Sequence, residues 1–194
     1  SFRTDEHIHE WLRDAEDAIE FARAARCGVL MIDGGSAELS SSVQHIRRIA
    51  NAAERAGHMA VDAGMICTWH QHWGTLFQYP EEFDALMDAT DPDLLKCTLD
   101  TAHLTLGGFD LPATFARYAD RLQYIHLKDL SADRRFVNLG EGTVEFAEPV
   151  RILQDGSFDG WIVNDLDYTD SDPFEGSRRN LNFLKNLLDL RASA

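Results

Sequence analysis

Short apolar segments alternate with helical segments along most of the chain, and this alternation constrains the fold more than any other feature. The apolar segments lack the strict apolar–polar alternation of a strand with one face in water. Continuous apolar strands are instead typical of parallel sheets that helices cover on both faces. We therefore predict an α/β protein with parallel strands at 29–32, 65–69, 94–99, 122–125 and 160–163.

Capping residues and apolar periodicity predict where the helices begin and end. Thr4 is suited to cap a first helix, and Gly28 follows its last turn. A second helix is predicted to stop near Gly57. The remaining helices are predicted to open at Pro80, Pro112, Phe146 and Pro173.

The charge balance excludes several classes of function. The 194 residues include 33 acidic and 18 basic ones, for a formal net charge of −15 at pH 7. Such a charge repels phosphate backbones and anionic membrane surfaces, so we expect neither nucleic acid nor membrane as a partner. No segment approaches the roughly 20 apolar residues of a membrane span. The length of 194 residues predicts a single domain. Because no leader segment is recognised and the three cysteines form no CxxC pair, we expect the protein in a reducing cytoplasm.

Ionisable residues follow the predicted strands at their carboxyl ends, where parallel α/β folds bind ligands. They are Asp33, then His70 and His72, then Asp100 and His103, then His126 and Lys128, then Asp165 and Asp167. Carboxylate and imidazole donors without a thiolate suit manganese, iron, cobalt, zinc or magnesium. The pattern therefore predicts a divalent-metal site.

Each of these residues taken alone also has a structural interpretation. Asp100 could cap the next helix, and His126 could be a core histidine. Lys128 and Asp129 could form a solvated loop pair, and the 140–142 segment could be only a turn. Recurrence at one strand end after another favours the functional interpretation.

Five short motifs follow one another along the chain: His70-Gln-His72-Trp-Gly74-Thr75 with Gln78, Asp100-Thr-Ala-His103, His126-Leu-Lys128-Asp129, Gly140-Glu141-Gly142, and Asp165-Leu-Asp167. In order and spacing they resemble the xylose-isomerase-like TIM-barrel superfamily. The first motif is most similar to inosose dehydratases. The resemblance implies a TIM (β/α)8 barrel, of which this chain holds about five C-terminal β/α units.

The resemblance also implies that the N-terminal strands of the barrel are missing, since a complete barrel takes about 250 residues. Either the sequence is a piece of a longer protein, or the barrel is incomplete. An incomplete barrel would expose a sheet edge, which another copy of the chain could cover in a homo-oligomer.

Particular site residues follow from the resemblance. The metal ligands fall on Asp100, His126 and Asp165, where Asp165 replaces the usual glutamate and is one methylene shorter. The remaining ligand is either His70 or Gln78. The expected catalytic residues are Asp165, Glu141, His103 and Lys128. The expected substrate-binding residues are His70, His72 and Trp73, of which Trp73 is chosen from its position: it lies with Phe77 in the loop after the second strand, where an aromatic wall could shield a substrate from water.

The implied activity is that of a divalent-metal-dependent isomerase or epimerase acting on a small sugar or polyol ketone through an enediolate intermediate. Mn²⁺ is the expected ion, with Mg²⁺, Co²⁺, Fe²⁺ or Zn²⁺ as alternatives. Asp165 is the first candidate for the base, and Glu141 the second. Two hypotheses stay open beside it: a lyase of the inosose dehydratase kind, and a non-catalytic barrel relic or sugar-binding subunit.

Overall fold

The computed structural model describes residues 4–36, 43–156, 158–169 and 172–189. The chain divides into two compact units, residues 1–98 and 99–194. The division falls inside one strand, Lys96–Asp100. Within the described ranges, no helix combines the length and the apolar character needed to cross a membrane.

The first unit contains parallel strands with helices packed against them. Its described elements are helices α1 (Asp5–Ala24), α2 (Val43–Asp62) and α3 (Pro80–Asp88), and strands β1 (Val29–Ile32), β2 (Ile66–His70) and the start of β3 (Lys96–Asp100). Strand β2 lies between β1 and β3, with Val29 opposite Ile66 and His70 opposite Thr98. Helix α1 packs against α2 and β1, and α2 packs against both β1 and β2.

The second unit adds two more parallel strands and a short hairpin. Its described elements are helices α4 (Thr101–Gly107), α5 (Leu111–Tyr118), α6 (Ala147–Asp155) and α7 (Pro173–Asp189), and strands β4 (Leu122–Leu127), β5 (Asp129–Leu130), β6 (Phe136–Val137) and β7 (Trp161–Asn164). Strand β4 pairs in parallel with β7, and β5 pairs antiparallel with β6. The predicted α/β class is confirmed: the described residues form a sheet of five parallel strands, fewer than the eight of a closed TIM barrel.

Helix α1 forms for the reasons that its sequence indicates. The Thr4 hydroxyl accepts a hydrogen bond from the backbone N–H of His7 at 3.2 Å, which satisfies one of the donors left open at a helix start. Its apolar stripe, Ile8, Leu12, Ala15 and Ile19, is buried. The capping prediction at Thr4 is therefore confirmed.

Helix α2 extends beyond its predicted end at Gly57 and continues to Asp62. Gly57 lies within the helix and does not end it. A glycine is required here because the backbone of Leu94 passes close to this position. A Cβ atom at this position would lie 2.5 Å from the carbonyl oxygen of Leu94. The glycine therefore permits close packing of the segment that leads into β3.

Strand ends bring polar residues together in the second unit. Asp100 is the last residue of β3 and also the N-cap of α4. His126 lies opposite Val163 in the β4–β7 register, and the N–H of Asp165 donates to the carbonyl of Leu127 at 3.2 Å. Because β4 and β7 run in the same direction, the residues that follow them leave the sheet at the same edge.

Asp129 is a buried structural anchor, so its interpretation as half of a solvated loop pair is wrong. Oδ1 accepts hydrogen bonds from the N–H groups of Leu130 (2.8 Å) and Val144 (3.1 Å), and Oδ2 accepts them from Gly140 (2.9 Å) and Gly142 (3.0 Å). A Cβ at position 142 would lie 2.3 Å from Asp129 Oδ1, which explains the glycine there. One carboxylate thus ties the residue after Lys128 to the 140–144 loop.

Gly57→Ala should destabilise the protein, although alanine is the better helix former by about 1 kcal/mol. The added Cβ meets a backbone oxygen that cannot rotate away, and we expect a net loss of about 1–3 kcal/mol in the free energy of unfolding. Gly28→Ala, where a Cβ would meet nothing within 4 Å, is the control. Urea unfolding measures both, and a Gly57→Ala protein as stable as the control would contradict the packing argument.

Asp129→Asn should lower the free energy of unfolding by about 2–4 kcal/mol, because its NH₂ group would face backbone donors that lose their acceptor. Asp159→Asn makes the same chemical change at an exposed position and should change stability by less than about 0.5 kcal/mol. Thermal or urea unfolding of the two variants provides the comparison. Equal stabilities would show that the four hydrogen bonds contribute little.

Candidate active site

Asp100 is fully buried, and its two carboxylate oxygens have different neighbours. Oδ1 accepts hydrogen bonds from the N–H groups of Ala102 (2.9 Å) and His103 (3.0 Å) and so caps α4. Within the described residues Oδ2 accepts no hydrogen bond; it lies 3.7 Å from His126 Nδ1 and 3.5 Å from Lys128 Nζ. The capping role and a ligand role of Asp100 are therefore compatible, because each uses a different oxygen.

His126 links Asp100 to Asp165. Its Nδ1 lies 3.4 Å from Asp165 Oδ2 and 3.7 Å from Asp100 Oδ2. The His126 side chain is only 13% exposed, whereas that of Asp165 is 29% exposed. The structure thus brings together the three residues that the resemblance identifies as metal ligands, with Asp165 on the side open to solvent.

The ammonium group of Lys128 lies among the same acidic residues. Its Nζ is 2.7 Å from Asp165 Oδ2, 2.8 Å from Asp167 Oδ2 and 3.3 Å from His103 Nε2. It also lies 4.9 Å from the centre of the Phe136 ring, within range of a cation–π contact. Since the Lys128 side chain is only 2% exposed, these contacts replace the water that the charge has lost.

The charges of this group stabilise one another. Burial alone would raise the pKa of Asp100, but His126, His103 and Lys128 together hold it below its ordinary value. Burial alone would lower the pKa of His126, but Asp100 and Asp165 raise it to about 9. His126 first, and Lys128 after it, hold the pKa of Asp165 well below the usual carboxyl range. The metal-free site therefore contains ionised carboxylates neutralised by neighbouring cations.

The donor set of this site fits a divalent ion. Two carboxylates and one imidazole suit cations that prefer oxygen and nitrogen ligands. Bonds of roughly 2 Å to one centre hold ligand atoms about 3–4 Å apart. The distances from His126 Nδ1, 3.4 Å to Asp165 and 3.7 Å to Asp100, fall in this range. Asp100 Oδ2 is also a buried acceptor that no hydrogen bond uses within the described residues, although ligation itself stays a prediction.

Thr101 fixes the backbone that carries Lys128. Its hydroxyl donates to the Lys128 carbonyl at 2.7 Å and accepts from the Lys128 N–H at 3.0 Å. Thr101 is fully buried and follows Asp100 directly, so one dipeptide positions both an acidic side chain and the lysine backbone. The sequence analysis did not identify Thr101, because a threonine at the start of a helix is common and its partner lies far along the chain.

Glu141, the second candidate base, contacts other residues. Its carboxylate accepts hydrogen bonds from Asn138 Nδ2 at 3.0 Å and Arg179 Nη1 at 3.4 Å, and its side chain is 49% exposed. Of the two candidate bases, Asp165 and not Glu141 lies in contact with both His126 and Lys128 among the residues described.

The His-x-His element lies in the first unit, where His70 is the last residue of β2 and His72 belongs to the loop that follows. The rings of His70 and His72 pack edge to face with 5.4 Å between their centres. His72 Nδ1 lies 2.7 Å from the carbonyl oxygen of Trp73, and Gln78 Oε1 accepts a hydrogen bond from Gly74 N–H at 3.0 Å. The choice between His70 and Gln78 as the remaining ligand, and substrate binding by His72 and Trp73, stay predictions.

Two further aromatic and sulfur side chains of the first unit belong to the core. Phe77, a candidate for an aromatic wall around a substrate, is 1% exposed and packs edge to face against Trp69. Burial raises the pKa of the Cys67 thiol to about 12, so this cysteine stays protonated at neutral pH and behaves as a small buried apolar residue.

Relatives of the chain include several inosose dehydratases. The protein from Lacticaseibacillus casei is 33% identical over 167 residues, which cover 76% of this chain and 56% of that protein. The protein from Geobacillus kaustophilus is 35% identical over 133 residues, which cover 59% of this chain and 43% of that protein. The chain thus spans about half the length of the curated relatives it matches.

The solved structures with the same fold belong to proteins with different named activities. A sugar phosphate isomerase/epimerase from Parabacteroides distasonis matches with a TM-score of 0.78 at 16% identity, over 95% of this chain and 66% of that chain. A probable 3-DHS dehydratase from Bacillus anthracis matches with a TM-score of 0.76 at 18% identity, over 92% of this chain and 70% of that chain. At such identities the likeness concerns the fold.

The sequence model of one family, described as Xylose isomerase-like TIM barrel, matches residues 3–187. This range includes Asp100, His126, Lys128 and Asp165. It also includes the His70–Gln78 loop. The chain therefore belongs to the xylose isomerase-like TIM barrel family.

Proposed function

We propose that the protein is a divalent-metal-dependent enzyme that removes a proton next to the carbonyl of a small sugar or polyol ketone. The observation that carries this proposal is the convergence of Asp100, Asp165 and His126: one carboxylate oxygen of each aspartate lies within 3.7 Å of His126 Nδ1. A stability-driven core has no need for two carboxylates around one imidazole, because burying charged groups is costly. Such clusters are typical of functional sites.

Asp100, His126 and Asp165 would hold the ion, while the choice of the remaining ligand stays a prediction. When bound, a divalent ion such as Mn²⁺ would act as a Lewis acid that polarises the substrate carbonyl. Asp100 would use Oδ2 for this purpose, since Oδ1 is engaged by the N–H groups at the start of α4. The fixed Oδ1 contacts would keep the ligand oxygen in one orientation.

Asp165 is our candidate for the general base. Its pKa is low in the metal-free site because His126 and Lys128 stabilise the carboxylate, so it can take a proton only when these contacts weaken. A substrate hydroxyl or carbonyl oxygen that accepts a hydrogen bond from Lys128 Nζ would draw the ammonium away from Asp165. His103, 3.3 Å from the same Nζ, would help to orient that group.

The fate of the abstracted proton decides between the two leading activities. In dehydration, Asp165 takes the α-proton, the C–H electron pair forms a C=C bond, and the β-hydroxyl leaves as water after receiving a proton from Lys128 or His103. In isomerisation or epimerisation, the proton returns to the neighbouring carbon or to the opposite face. We favour dehydration because inosose dehydratases are among the similar sequences, with 35% identity for the protein from Geobacillus kaustophilus.

Asp165→Asn should slow exchange of the substrate α-proton with solvent deuterium by at least about 100-fold, because an amide cannot accept this proton. The measurement is ¹H NMR of inosose and a panel of keto-sugars incubated in D₂O with the protein and Mn²⁺. Asp159→Asn, at an exposed position before β7, is the control and should exchange at the wild-type rate.

The same spectra distinguish the activities. A new olefinic or enolised product would support dehydration, and a new saturated sugar would support isomerisation or epimerisation in its place. A wild-type protein that exchanges no α-proton and converts no substrate of the panel would overturn the proposed enzyme and favour a sugar-binding relic.

His126→Ala should weaken Mn²⁺ binding by about 100-fold or more, because it removes the imidazole nitrogen that lies between the Asp100 and Asp165 carboxylates and would bind the ion with them. Isothermal titration calorimetry with Mn²⁺ measures the affinity, and EDTA treatment should abolish α-proton exchange until Mn²⁺ is restored. His58→Ala, an exposed histidine of α2, is the matched control. Equal Mn²⁺ affinities of the two variants would exclude His126 as a ligand.

A further inference from the structure

Lys128 and the candidate metal ion would use the same two carboxylate oxygens. Asp165 Oδ2 lies 2.7 Å from Lys128 Nζ and 3.4 Å from His126 Nδ1. Asp100 Oδ2 lies 3.5 Å from Lys128 Nζ and 3.7 Å from His126 Nδ1. Two cations that share acceptors at these distances repel each other and compete for the same negative charge. The metal affinity of the site must therefore depend on where the ammonium group is held.

Asp167 provides the ammonium group with a carboxylate outside the candidate ligand set. Its Oδ2 lies 2.8 Å from Lys128 Nζ, and within the described residues this is its one ion-pair contact. Asp167 follows Asp165 by two residues on the segment after β7, and its side chain is 47% exposed. Because Asp167 keeps much of its hydration, it can neutralise Lys128 at little desolvation cost.

We infer, on the basis of the proposed function, that Asp167 is a positioning residue: it shares the Lys128 ammonium with Asp165 and so weakens the competition of this ammonium with a divalent ion for the oxygens of Asp165 and Asp100. Lys128 is 2% exposed and cannot turn to solvent for compensation. Without Asp167, Asp165 and Asp100 become its remaining carboxylate partners in this cluster. The ammonium then competes more strongly for the oxygens that ligate the metal.

A general loss of negative charge is the alternative explanation that a test must separate from this one. Removing any carboxylate near a cation site weakens cation binding to some degree, but for a half-exposed group this effect is reduced by water and salt. The positioning role of Asp167 instead requires Lys128. The two effects therefore differ in a double-mutant cycle.

The experiment measures Mn²⁺ affinity by isothermal titration calorimetry, without substrate. Asp167→Asn should bind Mn²⁺ about 10-fold more weakly than wild type, in line with other residues that act through a ligand's partner. Asp159→Asn, which removes the same charge from an exposed position, should stay within about 2-fold of wild type. In a Lys128→Met background, the added Asp167→Asn change should alter the affinity by less than about 2-fold.

Circular dichroism and thermal unfolding check that each variant is folded, and Lys128→Gln replaces Lys128→Met if the latter is not. Wild-type affinity in Asp167→Asn would overturn the inference, as would an equal loss with and without Lys128. A wild-type protein that does not bind Mn²⁺ would overturn the metal site and this inference together. Coupling between Asp167 and Lys128 in a protein that exchanges no α-proton would support the inference and overturn only the proposed enzyme.

Discussion

The complete burial of the Asp100 carboxylate is the constraint on which the candidate site depends. An ionised carboxylate without water requires hydrogen-bond donors and positive charge close by. Backbone N–H groups of α4 supply the donors to Oδ1, while His126 and Lys128 supply the charge near Oδ2. Since each cation is itself buried, it needs further acidic partners, and Asp165 and Asp167 provide them.

This arrangement gives Lys128 a double role. In the metal-free protein its ammonium group compensates the carboxylates that would otherwise repel each other. The same group would oppose a divalent ion, unless another carboxylate holds it. In the proposed metal-bound site, the Lys128 side chain would change its partners without a change in its backbone. The hydroxyl of Thr101 keeps that backbone in place.

The strands and most helices could be predicted from sequence because their signals are local. Strand β1 has the predicted bounds, and Thr4 and Pro80 lie at the helix starts that they indicate. The end of α2 was predicted wrongly at Gly57, because the sequence does not distinguish a glycine that permits close packing from a glycine that ends a helix. The hairpin of β5 and β6 was not predicted, because two-residue strands carry no periodicity.

The sequence by itself determined that ionisable residues stand at the ends of apolar strands, because periodicity marks the strands and parallel strands end at a common edge. The resemblance to the family then singled out Asp100, His126 and Asp165 among these residues. Only the tertiary structure decided what each oxygen does: which Asp100 oxygen caps a helix, that Asp129 anchors the 140–144 loop, and that Asp167 faces Lys128. Apart from the helix cap, these contacts join residues far apart in the chain, 11 positions in the Asp129–Gly140 pair and 39 in the Lys128–Asp167 pair, so no local pattern encodes them.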